Sequence, residues 1–136
     1  MESDIIKALR EVGKAIQADE RYNTLLEKRK VADEDQRVKA IQEQMADLQI
    51  KHDEEAMKSN PNQVLMEECQ KQYQDLFEKA YQIDTMVDYM DASEAVDGMM
   101  NEVMQYIYLF MRGEDPETCK PTPEIIQEMQ SQIMGM

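Results

Sequence analysis

Apolar residues recur along the chain at steps of three and four, the spacing that gathers side chains on one face of an α-helix. Ile5, Leu9, Val12 and Ile16 form the first such stripe. Asp19 and Glu20 occupy its next core-side positions, and Tyr22, Leu25 and Leu26 resume it on a shifted phase. That interruption predicts a kink or a new short helix capped near Asp19. Its end carries Lys28-Arg29-Lys30, cations suited to the negative end of a helix dipole. Asp33 followed by Gln36 matches a capping box and predicts a further helix with the stripe Val38, Ile41, Met45, Leu48 and His52, ending near Lys58. In the turn Ser59-Asn60-Pro61-Asn62, Asn60 is expected as the cap, Pro61 at the first helical position and Gln63 closing another capping box. The helices on either side are expected to form an antiparallel hairpin.

The most regular pattern follows. Met66, Cys69, Tyr73, Leu76, Ala80, Ile83, Val87 and Met90 alternate steps of three and four over more than three heptads, as in a coiled-coil seam. Beyond Met90 the apolar positions restart out of register at Val96, Met99, Val103, Ile107 and Phe110. Asp91-Ala92-Ser93 is therefore either a bend in one long helix or a short turn capped by Ser93. Gly113 is expected to end this helix, and residues 114–121 read as a linker containing Pro116. Thr122-Pro123-Glu124 is placed to start a short amphipathic helix carrying Ile125, Ile126, Met129 and Ile133. The expected fold is all-α, with long antiparallel helices forming a helical bundle or coiled-coil hairpin over residues 1–113, then a linker and short C-terminal helix over 114–136. A helix of ~25–30 residues is about 38–45 Å long, more than a lone chain of this size easily covers, so the exposed seam is expected to pair with a second copy as a homodimer.

Charge narrows the function classes. The chain carries 15 basic and 29 acidic side chains, a net charge of −14, whereas nucleic-acid affinity comes largely from Lys and Arg displacing counterions. Direct nucleic-acid binding is excluded on that ground. The imbalance lies in the second half, and between Lys79 and Arg112 there is no basic residue. Within that interval Asp84, Asp88, Asp91, Glu94, Asp97 and Glu102 follow one another at near-helical spacing. The run reads as an acidic face, either solvated and repelling wrong partners or a docking surface for a basic protein. Internal compensation by Lys28, Arg29 and Lys30 of a neighbouring helix or subunit is the alternative to docking. Asp84, Asp88 and Asp91 share the spacing of carboxylates that hold a hard divalent ion, yet a di-iron bundle also needs Glu-x-x-His pairs and the single His lies elsewhere, so no metal is expected. No apolar run reaches the ~18–20 residues of a membrane helix, and Met1-Glu2-Ser3-Asp4 is acidic where a signal peptide is basic. A cytoplasmic protein is expected.

Candidate chemistry is sparse. His52 stands beside Asp53, Glu54 and Glu55 with no Ser or Cys motif to complete a triad, and reads as a structural histidine. Cys69 occupies a seam position as a small core residue, and Cys119 lies in the linker. Two thiols do not supply the four ligands of an iron–sulfur cluster. With no Gly-rich phosphate loop, zinc motif or Gly-x-Ser-x-Gly, no catalytic residue, cofactor or small-molecule substrate is expected. Thirteen methionines, nine of them at or beyond Met86, either fill the core or line an adaptable groove for a partner helix.

The stretch from Leu9-Arg10-Glu11-Val12-Gly13 through Asp19-Glu20-Arg21-Tyr22, the basic Lys28-Arg29-Lys30, and Val31-Ala32-Asp33-Glu34-Asp35 opening a helix resemble the YlbF/YmcA family of small bacterial proteins, whose relatives include YheA. The likeness spans about residues 5–112. It implies an all-helical, often dimeric protein of Gram-positive cytoplasm, a non-catalytic regulator of competence, biofilm formation and sporulation. Such proteins work in complex with sister proteins and influence RNase Y-dependent messenger RNA processing. Certain members carry tail cysteines associated with an iron–sulfur cluster; this tail has Cys119 alone, so the cluster is not carried over. Two functions are therefore expected as alternatives. One is a regulatory adaptor that binds regulatory proteins of the same or a sister family, and the other a prefoldin-like holdase that grips unfolded chains with Met-rich helices.

Overall fold

Where each helix starts and stops decides which faces meet. The computed structural model describes residues 1–134 and places in them six helices and no strand. These are α1 (Asp4–Ala18), α2 (Glu20–Glu34), α3 (Gln36–Ala56), α4 (Gln63–Ala80), α5 (Asp84–Met111) and α6 (Pro123–Met134). The all-α expectation holds. Ser3 opens α1 by accepting the Ile6 N–H, and Asp19 closes it in extended conformation while capping α2, as the broken stripe predicts. The Asp19 carboxylate accepts the Arg21 N–H at 2.8 Å and grips the Arg21 guanidinium at 2.9 Å.

The same device recurs sixteen residues on. Asp35, not Asp33, caps α3, accepting the Arg37 N–H at 2.9 Å and the guanidinium at 2.8 Å, and α2 runs on through Asp33. Both Asp33 and Asp35 have the right chemistry for a cap. Asp35 also has an arginine two residues ahead, which adds a charge-assisted pair to the capping bond. Asn62 likewise replaces Asn60 as the cap of α4, its Oδ1 accepting the Val64 and Leu65 N–H groups at 3.1 and 3.2 Å. Pro61 therefore precedes the cap and does not sit at the first helical position.

Helices α3 and α4 pack on each other more extensively than any other pair. They run antiparallel: Val38 shares a groove with Tyr81, Leu48 lines a cavity with Cys69 and Tyr73, and Glu55 reaches Asn62 across the turn. Every expected stripe position of α3, from Val38 to His52, is buried or half-buried, and Cys69 is buried opposite. Glu55 holds the turn. Its side chain is buried, and its carboxylate accepts the Asn62 N–H at 2.9 Å and Lys58 Nζ at 2.7 Å.

The expected unbroken seam from Met66 to Met90 is interrupted at residues 81–83, where the Tyr81 N–H bonds back to Phe77 and the Ile83 N–H to Ala80. Ile83 stays buried through this tight turn, so the apolar spacing continues although the helix does not. No Gly or Pro marks the break. Conversely, α5 passes through Asp91, Ala92 and Ser93 without interruption.

The chain divides into two compact units, Met1–Ser93 and the residues from Glu94 onward. In the first, α1 packs chiefly at its junction with α2, and none of its residues is buried. In the second, Met99 and Leu109 are buried while Ile107 and Phe110, expected on the inner stripe, are exposed. Gly113 ends α5 in the left-handed region at φ 84°, with the Glu114 N–H bonded to Leu109 and the Gly113 N–H to Phe110, a Schellman arrangement that favours glycine. Thr122 caps α6 through Oγ1 to the Ile125 N–H, as its sequence predicts, and Arg112 pairs with Glu128 at 2.8 Å.

The expected and the observed cap of α4 separate by mutation. Asn62→Ala is expected to cost about 1 kcal/mol of stability and Asn60→Ala to stay within a few tenths, read from urea unfolding midpoints at unchanged slope.

Candidate interaction surface

All six acidic residues of the predicted face lie on α5 and are exposed. Asp84, Asp88 and Asp91 belong to the first unit and, at i, i+4 and i+7, fall within about 60° of one another around the helix. Glu94, Asp97 and Glu102 belong to the second. Asp84 differs from the rest. Arg37 Nη2 reaches it at 2.9 Å while also holding Asp35 at 2.8 Å, and Thr85 Oγ1 donates to Asp35 at 2.8 Å. This knot ties the α2–α3 junction to the start of α5. Within the chain, cationic compensation of the run comes from Arg37 at its Asp84 end. Among the described residues, Asp88, Asp91, Glu94, Asp97 and Glu102 form no ion pair.

The electrostatics follow this geometry. The Arg37 guanidinium, helped by the Thr85 hydroxyl, holds the Asp35 carboxyl far below the usual carboxylate range. Arg37 is raised in turn, first by Asp35 and then by Asp84. At the earlier junction Arg21 lowers Asp19 to about 2. Sequence reasoning missed the knot, although a signal for it was present: Asp-Glu-Arg at 19–21 and Asp-Gln-Arg at 35–37 repeat one charged spacing at two helix junctions.

A second surface lies in the second unit. Met104, Ile107, Tyr108 and Met111 of α5 and Met129 of α6 line a groove of about 390 Å³, with Asn101 and Gln132 at its edges. Met104 and Met111 are exposed. Part of the methionine excess therefore fills the core, as Met99 does, and part lies open as pliable apolar surface.

His52, Cys69 and Tyr73 line a shallow cavity of about 330 Å³ between α3 and α4. His52 Nε2 meets the Gln70 amide at 3.3 Å, and its Nδ1 has no hydrogen-bond partner; the nearest carboxylate oxygen, Asp53 Oδ1, stands 3.5 Å away and accepts from Gln49. Cys69 lines the same cavity as a buried free thiol. Among the described residues no group of three or more His, Cys, Asp or Glu side chains is placed to hold a metal ion, and no helix is long and apolar enough to cross a membrane.

These features belong to an all-helical protein with an acidic run along α5 and a methionine-lined groove in its second unit. The family described as control of competence regulator ComK, YlbF/YmcA, matches residues 5–108, and the chain belongs to it. The match runs from α1 almost to the end of α5, which agrees with the resemblance read from the Asp19 and Asp35 region, and the family's description is a regulatory one. No match to the chain was found among the curated proteins or the solved structures.

Acid unfolding tests the knot. The Asp35 carboxyl titrates lower in the folded chain than its unfolded value near pH 4, so its stabilisation is complete above about pH 4 and is lost as the pH falls further. Asp35→Asn is expected to lower Tm at pH 7 by a few degrees and to flatten the decline of Tm between about pH 4 and pH 2, followed by circular dichroism.

Proposed function

We propose that the chain is a non-catalytic regulatory adaptor of the cytoplasm, acting by binding other regulatory proteins of its own or a sister family. The observation that carries the reading is the family match together with the acidic run on α5, five of whose six carboxylates form no ion pair among the described residues. Like charges at i, i+3 and i+4 repel one another by a few tenths of a kcal/mol per pair, so the run works against the stability of its own helix. A basic partner surface removes that repulsion, speeds encounter and rejects acidic competitors. By its family, the process served is competence control, with biofilm formation, sporulation and RNase Y-linked messenger RNA processing as related settings.

A second reading rests on the methionine-lined groove of α5 and α6. An open, pliable apolar groove suits unfolded clients, as in a prefoldin-like holdase. The two readings part on one set of measurements. Neutralising Asp88, Asp91, Glu94, Asp97 and Glu102 to Asn or Gln is expected to keep or raise Tm, to abolish co-purification with sister-family proteins, and to flatten the salt dependence of their association. If the neutralised chain captures those proteins undiminished, the acidic face is not the docking surface. Suppression of the aggregation of unrelated unfolded proteins, lost on Met104→Ser/Met111→Ser, is the result expected of the holdase.

A further inference from the structure

The first unit exposes an apolar face as well as an acidic one. On α1 the stripe Ile5, Leu9, Val12 and Ile16 is flanked by Ala8, Gly13 and Ala15, while Lys7, Arg10, Glu11 and Lys14 project more than about 100° away from it. Small flanking residues allow close approach of another surface, and a Cβ added at Gly13 meets nothing within 4 Å. Ile5, Leu9 and Val12 are 73%, 48% and 39% exposed. The same unit carries an apolar groove of about 280 Å³ between α3, α4 and the first turns of α5, in which Ile41, Met45, Phe77, Tyr81, Met86 and Met90 take part. Its volume accommodates about two or three aliphatic side chains. Phe77 and Tyr81, edge to face at 4.7 Å, stand exposed at its lip.

We infer that α1 of each chain lies in the α3–α4–α5 groove of a second copy, two copies exchanging helices reciprocally. Charge favours this pair of faces. Copies that each carry a net charge of −14 repel, and association is least opposed where charge is sparse; neither the α1 stripe nor the lining of the groove contains a charged residue. Area decides between the two ways in which copies can meet. Ile5, Ile6, Leu9 and Val12 together leave about 400 Å² exposed, so pairing α1 with α1 of the partner covers about 800 Å² in total, the range of crystal-packing and weak contacts. Each seating of α1 in a groove covers about as much, and a reciprocal exchange makes two, for about 1,600 Å², the size of a standard stable interface. The arrangement is closed by a two-fold axis, so association stops at two.

Light scattering at tens of micromolar tests it, with substitutions placed at exposed positions so that the hairpin core is untouched. The unaltered chain is expected at about twice 15.9 kDa. Leu9→Ser/Val12→Ser and, separately, Phe77→Ser/Tyr81→Ser are both expected to be monomers with helical circular dichroism retained. A monomeric parent, a groove variant that remains dimeric while the α1 variant dissociates, or two dimeric variants would each overturn the exchange, the second in favour of α1 pairing with α1. A measurement on the unaltered sequence removes dependence on how the variants fold. In mixtures of isotope-labelled and unlabelled copies, intermolecular contacts are expected between the Leu9 and Val12 methyls and the Phe77 and Tyr81 rings. Contacts confined to α1 against α1, or none between copies, contradict the proposal.

Discussion

Helices α3 and α4, joined through residues 57–62, bury each other's stripes, and the other elements of the first unit hang from that pair by narrow attachments. Helix α2 joins it through one residue, Asp35, and α1 joins α2 through one residue, Asp19. The start of α5 is held by the turn at 81–83 and by the Arg37 bridge to Asp84. Narrow attachments of this kind leave much apolar surface without an internal partner. The core of the unit is correspondingly thin, with small or medium residues such as Ala32, Val38 and Cys69 among its most buried. Most helical stability in proteins comes from packing an amphipathic face, so a helix such as α1, with no buried residue, gains little from its own chain.

Charge works alongside this constraint. A surface as acidic as this one resists indiscriminate self-association, which confines productive contacts to places where charge is absent or is matched by a basic partner. Arg37 illustrates how sparingly the protein uses cations. It serves two carboxylates, Asp35 at the α2–α3 junction and Asp84 at the start of α5, while the other acids of the α5 run form no ion pair among the described residues. The family to which the chain belongs is described by its control of the competence regulator ComK, a regulatory role.

How much of this was legible in the sequence depended on whether a local signal had a competitor. The break at Asp19, the stop at Gly113 and the start at Thr122 each had one strong local signal and no rival, and each stands where it was read. The sequence pattern assigns the caps of α3 and α4 to Asp33 and Asn60, whereas Asp35 and Asn62 hold them, and the arginine two residues after Asp35 is a signal that a capping-box search does not weigh. The break at 81–83 was hidden because Ile83 remains buried, so that the three-four spacing runs on across a turn. The shift of phase after Met90 leaves the sequence open to either a bend in one long helix or a short turn at residues 91–93. Helix α5 is continuous there and passes from one packing unit into the next, so the face that is buried changes although the backbone does not. The acidic run was visible in full from residue order. Its partial neutralisation by Arg37, 47 residues away, was not, because ion pairs between helices leave no periodic trace.

Amide hydrogen exchange on the dilute, monomeric chain tests most directly whether the α3–α4 pair is the self-sufficient part of the first unit. The slowest exchange is expected for the inner stretches of α3, from Val38 to Leu48, and of α4, from Cys69 to Ala80, with α1 exchanging near the rate of an isolated helix. Protection of α1 equal to that of α3 at such dilution would contradict the account, since it would mean that the stripe from Ile5 to Ile16 is already covered within a single chain.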